Sequence, residues 1–155
     1  MDALRERMSA AMDGRLPGMF GVEIMSIGHG HTETRLSLKE VHLAPNDFLH
    51  AGTVITLADT SCGMGCLASL PENAVGFTTI ELKTNFLATA REGGLRCTAR
   101  LVHDGGRTQV WDATVAREAD DRVIALFRCT QFLLPADDAR TERQQENVQR
   151  MKEGK

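Results

Sequence analysis

Between Asp47 and Glu72 the chain carries one charged side chain, Asp59, set in the stretch LHAGTVITLADTSCG. The surrounding residues fit a long helix from about Gly52 to Leu70. Val54, Ile55, Leu57, Ala58, Cys62, Cys66, Leu67 and Leu70 recur so that apolar side chains cover a wide arc. A helix apolar over so much of its circumference must be enclosed by other parts of the molecule. An unpaired carboxylate is costly to bury in such a place. Asp59 is therefore paired from elsewhere, exposed by accident of phase, or present for chemistry. Gly63 and Gly65 each weaken a helix by about 1 kcal/mol relative to Ala, so close packing or room for a ligand is expected beside them.

The flanking sequence supplies what encloses the helix. Residues 2–13 read as a short helix with Leu4, Met8 and Met12 on one face, and GRLPG breaks it. MFGVEIMSIG reads as a first strand. HTETRLSL reads as a second, alternating Thr32, Thr34, Leu36 and Leu38 against Glu33, Arg35 and Ser37. A loop through EVHLAPNDF follows, with Pro45 and Asn46 in turn positions. After the long helix, AVGFTTIELKTNF, GLRCTARLVH, QVWDATVARE and RVIALFRCTQFLL all read as strands. Short Gly and Asp turns between the last three argue an antiparallel meander. The expected architecture is α+β: a curved six-stranded antiparallel sheet around one long central helix, in a single domain over residues 1–136. The segment 137–155 is polar, with Val148 and Met151 its only large apolar residues. It reads as a solvated helix, an arm for a partner subunit or a disordered tail. One sheet face covers only part of a helix, so a second copy of the chain or a ligand is expected on the rest.

A net charge of −3 over 155 residues gives no electrostatic argument for nucleic acid or an anionic membrane. The N-terminus lacks the apolar region of a signal peptide, and the uncharged run is interrupted by Asp59 and rich in Gly, Ser and Thr, which suits no membrane span. A cytoplasmic location is expected. Cys62, Cys66, Cys97 and Cys129 lack the spacing of a zinc finger or ribbon. They read as small buried hydrophobes, with a metal held through His50 or His103 as the lesser alternative.

The residues also carry a resemblance. The element order, with LHAGTVITLADTSCGMG, TTIELKTNFLATAREG, HDGGRTQVWDATV and ALFRCTQFLLP, is similar to hotdog-fold thioesterases of the PaaI type over roughly Phe20 to Pro135. The family hallmark is a His-Gly-Gly-like turn opening the central helix, with an acid nine positions after the His. Here these are His50, Ala51, Gly52 and Asp59. The resemblance implies hydrolysis of an acyl-CoA thioester at an interface between two protomers of a dimer, often paired into a homotetramer. It assigns the Ala51 amide, helped by Gly52, to the substrate carbonyl, and Asp59 to the role of general base or nucleophile. CoA is part of the substrate, and no separate cofactor or metal is implied.

Supporting candidates follow with their plainer readings. His50 either hydrogen-bonds near the thioester or only fixes the turn. In many relatives an Asn or Gln stands six residues before the His, where this chain has Ala44, so Asn46 either substitutes or is a turn residue. Thr79 either positions the attacking water or is a strand former. Gly63 either borders the acyl pocket or allows close packing. Arg107, Arg91 and Lys83 are the candidates for the CoA phosphates, and Phe77, Phe86 and Trp111 for the acyl wall. Two other functions compete. A hotdog hydratase or dehydratase of 3-hydroxyacyl thioesters would need a proline-rich His/acid pattern that NDFLHAG lacks. A non-catalytic acyl-CoA-binding domain would not need Asp59.

Overall fold

The computed structural model describes residues 2–136, 145–146 and 148–150. Helix α1 (Asp2–Met12) is followed by a second short helix, α2 (Leu16–Phe20), then by β1 (Val22–Gly28) and β2 (His31–Ser37). A single 3-10 turn (Glu40–His42) leads to the long helix α3 (Ala51–Ala68). Strands β3 (Ala74–Phe86), β4 (Gly94–Asp104), β5 (Thr108–Arg117) and β6 (Val123–Pro135) complete the fold.

Helix α2 lies where the sequence reads as a break and the start of β1. Pro17 falls in its first turn, where a missing N–H costs nothing, and Gly21 closes it at φ 79°. A residue that looks like punctuation therefore helps start a short helix, and one that reads as strand ends it.

The six strands form one antiparallel sheet in the order β1-β2-β4-β5-β6-β3. The strand that follows α3 thus crosses to the far edge and pairs only with β6, while β4, β5 and β6 form the expected meander. The sheet curls round α3, which touches all six strands. Alternation decides the two faces. Thr32, Thr34 and Leu36 of β2, Leu95, Cys97 and Ala99 of β4, and Trp111, Ala113 and Val115 of β5 are buried toward the helix. The opposite face is charged, with Arg35 paired to Glu118, Arg96 to Asp121 and Arg128 to Asp112.

Leu36, Leu57 and Leu95 are fully enclosed, and each such side chain stabilises the fold by about 1.5–3 kcal/mol. The four cysteines are free and buried in the same core. Burial pushes the thiols of Cys66 and Cys97 up to about 12.

Two glycines of α3 record how closely the helix lies on the sheet. A Cβ at residue 65 would fall 2.6 Å from the Trp111 ring and 2.7 Å from Thr32 Oγ1. At residue 63 it would fall 2.9 Å from the Phe77 ring.

The sequence assigns the uncovered side of α3 to another copy or a ligand, and the structure divides that side in two. Met8 and Met12 of α1 pack with Ile24 and Ile27 of β1 over Met64, Leu67 and Ala68, so the chain itself covers the C-terminal half. Along the other half, Gly52, Ile55, Thr56, Asp59 and Thr60 remain partly exposed. Beside them Leu82 and Phe86, on the helix-facing side of edge strand β3, are 41% and 49% exposed.

Most of segment 137–155 lies outside the described residues. Within it, residues 145–146 and 148–150 are helical, Gln145 Nε2 donates to the Ala136 carbonyl, and Val148 is buried. Among the described residues no helix is long and apolar enough to cross a membrane.

Candidate active site

The start of α3 is fixed from behind by a buried histidine. His42 Nδ1 accepts the Lys39 N–H at 2.9 Å, and its Nε2–H donates to the Phe20 carbonyl at 2.9 Å. Burial pushes the His42 pKa down, in keeping with this neutral tautomer. The His42 carbonyl then receives the His50 N–H at 3.0 Å and Thr53 Oγ1 at 2.9 Å. The turn before the helix is thereby held at two points.

His50 is the N-cap residue of α3, and its Nδ1 accepts the Gly52 amide at 2.8 Å. An accepting Nδ1 leaves the proton of a neutral imidazole on Nε2. Of the two amides expected to face a substrate carbonyl, that of Gly52 is therefore engaged by His50. The Ala51 N–H meets no acceptor among the described residues, and Ala51 is exposed. The positive end of an 18-residue helix dipole lies behind it.

Asp59 lies eight residues after Ala51, a rise of about 12 Å, so the free amide and the acid do not meet within one chain. The carboxyl is half-buried, and burial raises its pKa above the ordinary carboxylate value, opposed by the Thr79 hydroxyl. Thr79 Oγ1 stands 3.4 Å from Asp59 Oδ1 and donates to Gln131 Oε1 at 2.9 Å. Among the described residues no cation pairs with Asp59.

The other candidates are spread over the molecule. Asn46 Oδ1 accepts the Phe48 N–H at 3.4 Å, and the tight turn it belongs to has Asp47 at φ 62°. Gly63 faces Phe77 in close packing. The Arg91 guanidinium lies 5.2 Å from the centre of the Phe48 ring, near the start of α3. Arg107, in the β4–β5 turn, borders a cleft of about 360 Å³ with Asn73, Leu133 and Ala136. The full length of the 11-residue β4 separates these two arginines, about 35 Å. Lys83 is opposite Arg128 on the face of the sheet turned away from α3.

Trp111 does not stand at an acyl wall. It is fully buried against Gly65, and its Nε1–H donates to Gln109 Oε1. Neither Gln131 nor His42 is among the candidates that the sequence pattern singles out. The signal for Gln131 is a polar residue in the inward phase of β6, among Ala125, Phe127, Cys129 and Leu133. His42 sits in an irregular loop, where no periodicity marks it.

Among the described residues no three His, Cys, Asp or Glu side chains gather where they could hold a metal ion. What the site offers is an open backbone donor at a helix start and, on the same helix, an unpaired carboxyl against a hydroxyl.

A curved antiparallel sheet around one long helix is the architecture of the hotdog fold, which thioester hydrolases share. Residues 46–124 match the family model described as the thioesterase superfamily. The chain is 30% identical to a 1,4-dihydroxy-2-naphthoyl-CoA hydrolase of Listeria monocytogenes, over 71% of this chain and 88% of that one. It shares its fold with a thioesterase from Haemophilus influenzae at a TM-score of 0.80 and 20% identity, covering 87% and 93% of the two chains. A hypothetical thioesterase from Streptococcus pneumoniae, whose structure was solved with coenzyme A, superposes at a TM-score of 0.68 and 21% identity, covering 74% and 86%. The chain belongs to the thioesterase superfamily and is a thioester hydrolase with a hotdog fold.

Proposed function

We propose that the chain hydrolyses an acyl-CoA thioester to the free acid and CoA, in a site shared between two protomers. The observation that carries this reading is the separation within α3: a free Ala51 amide at its start and an unpaired, half-buried Asp59 about 12 Å further along. Two antiparallel copies of α3 would bring the amide of one protomer to the acid of the other. The partly exposed stripe Gly52–Ile55–Asp59, with Leu82 and Phe86 beside it, is the apolar surface such a pairing would cover.

In that arrangement the Ala51 N–H polarises the thioester carbonyl and receives the charge that develops on its oxygen. A donor of this kind lowers the barrier by about 3 kcal/mol. His50 keeps the turn in shape through Gly52, with its Nε2–H left as a second polar group. Asp59 takes the proton from water, the oxygen attacks the carbonyl carbon, and the C–S bond breaks with the thiolate regaining a proton. In the nucleophilic variant Asp59 attacks first, forming a mixed anhydride that water then opens. Thr79 holds the carboxyl and water in line. Asn46 shapes the loop beside the helix start, and Gly63 lets Phe77 form the floor.

For the CoA phosphates, Arg91, beside Phe48 near the start of α3, is the cation we assign; Arg107, at the other end of β4, and Lys83, on the outer face of the sheet, lie too far from it to share the same phosphates within one protomer. The CoA named in the Listeria relative and present in the Streptococcus structure supports this substrate class. The assembly is taken as a homodimer, paired into a tetramer, in the cytoplasm.

Release of free thiol across a panel of aromatic and aliphatic acyl-CoA esters tests the reading, with wild type beside Asp59→Asn. Hydrolysis by the wild type that falls at least about a hundredfold in the variant is expected. Equal rates for the two proteins would end the assignment of Asp59.

A further inference from the structure

Strand β6 turns Ala125, Phe127, Cys129, Gln131 and Leu133 toward α3, and all five are buried. Gln131 is the polar member of this row and is fully enclosed. A buried amide without partners costs about 1–3 kcal/mol, so an apolar residue would serve packing alone with less risk. The partners it has lead to the acid. Gln131 Oε1 accepts from Thr79 Oγ1 at 2.9 Å, and Nε2 donates to Cys129 Sγ at 3.3 Å. The same Thr79 oxygen stands 3.4 Å from Asp59 Oδ1.

A hydroxyl has one proton to give. Here the nearer acceptor, Gln131, holds it, which turns a Thr79 lone pair toward Asp59 and suits a protonated carboxyl. A half-turn of the amide reverses every bond in the row. Gln131 Nε2 then donates to Thr79, the Thr79 proton goes to Asp59, and the Cys129 thiol donates to Oε1. That second arrangement suits a carboxylate. Both give each polar atom of the row at least one partner, and they differ in the form of Asp59 that they favour.

We propose that Gln131 is a positioning residue that acts through Thr79 to set which protonation form of Asp59 the site favours. The proposal rests on the reading of Asp59 as the base or nucleophile. A general base must pass between carboxylate and acid in each turnover, and this row would follow that change without moving charge. Among the described residues the titratable and polar groups that approach Asp59 are few. Its own helix contributes the Cys62 thiol, β3 contributes the Thr79 hydroxyl, and β6 contributes the Cys129 thiol behind Gln131. Both cysteines are buried. No cation pairs with the carboxyl among the described residues.

Carbon-13 NMR titration of the Asp59 carboxyl, assigned by its loss in Asp59→Asn, reads the effect without any substrate. Thr79→Val should raise the titration midpoint, because a donor to the carboxylate is gone. Gln131→Met, close in shape, should lower the midpoint by about half a pH unit, because the Thr79 proton is freed for Asp59. Combined with Thr79→Val, the Gln131 substitution should shift nothing further. In the wild type the acid limb of benzoyl-CoA hydrolysis should follow the same midpoint.

A midpoint unmoved by Gln131→Met, or moved equally with and without Thr79→Val, overturns the proposal. Should Gln131→Met and Gln131→Leu both fail to fold, an unmoved midpoint in Thr79→Val alone still overturns it. Retained hydrolysis in Asp59→Asn would instead remove the catalytic reading and leave the titration result standing.

Discussion

The imidazole of His50 and the backbone of Gly52 are clasped at 2.8 Å, and the clasp leaves the Ala51 N–H as the open donor at the start of α3. Gly52 is a glycine because the ring needs the space: a Cβ there would fall 2.9 Å from Nδ1 and 3.2 Å from Cε1.

Gly52→Ala should therefore separate activity from stability. Ala gains about 1 kcal/mol of helix propensity over Gly, and losing the cap costs a similar amount. Urea midpoints should barely change, while kcat/KM for acyl-CoA hydrolysis falls about tenfold or more as the turn loses its aim. A variant with wild-type activity would show that the clasp is irrelevant to the reaction.

Asp59→Asn should be more stable than the wild type at neutral pH. A carboxyl whose pKa is raised in the folded protein binds its proton more tightly folded than unfolded. Stability then falls as pH rises from the ordinary carboxylate value through the folded one. The ionised acid thus weakens the fold at pH 7, and Asn removes that weakness. Urea unfolding should show a gap between variant and wild type at pH 7 that shrinks near pH 4.

Mixing two impaired variants tests the shared site. Asp59→Asn and Gly52→Ala protomers, unfolded and refolded together, should form heterodimers with one site free of substitutions. Activity should recover to roughly a quarter of wild type, as random pairing of a two-fold dimer gives. Activity no greater than the sum of the separate variants would place each site within one chain.

Gly65→Ala should lose stability even though Ala is the better helix former. The added methyl meets the Trp111 ring at 2.6 Å, where buried neighbours on β2 and β5 leave no room. Overpacking of this kind costs about 1–3 kcal/mol, more than the propensity returns. An unfolding midpoint at or above the wild-type value would contradict the packing described for α3.

Much of this molecule is legible as pattern. Strand β3 is legible as AVGFTTIELKTNF after the LPEN turn, and the inward phases of β4 and β5 follow from Cys97 and Trp111 alternating with polar neighbours. Pattern fails where spacing carries no period. Pro17 and Gly18 read as breakers yet lie within α2, and Gly21, which closes that helix, reads as part of the first strand. Trp111 looks like a pocket wall because burial of an aromatic depends on which strand lies next to it. His50, Ala51, Gly52 and Asp59 stand out as residues, but the division of labour between the first three rests on a ring orientation that no sequence spacing encodes. Gln131 shows the opposite case, a break in phase that was present in β6 and whose meaning needed Thr79 beside it.

The double hold of the His42 carbonyl on His50 and Thr53 reaches beyond rigidity. Because the helix start is anchored to residue 42, the intervening loop at 43–49 bears little of the strain of aiming the amide. Its length and side chains can then change without redirecting the donor. Such a loop is where a lineage, or an engineer, could rebuild the chain beside the helix start while the donor keeps its place.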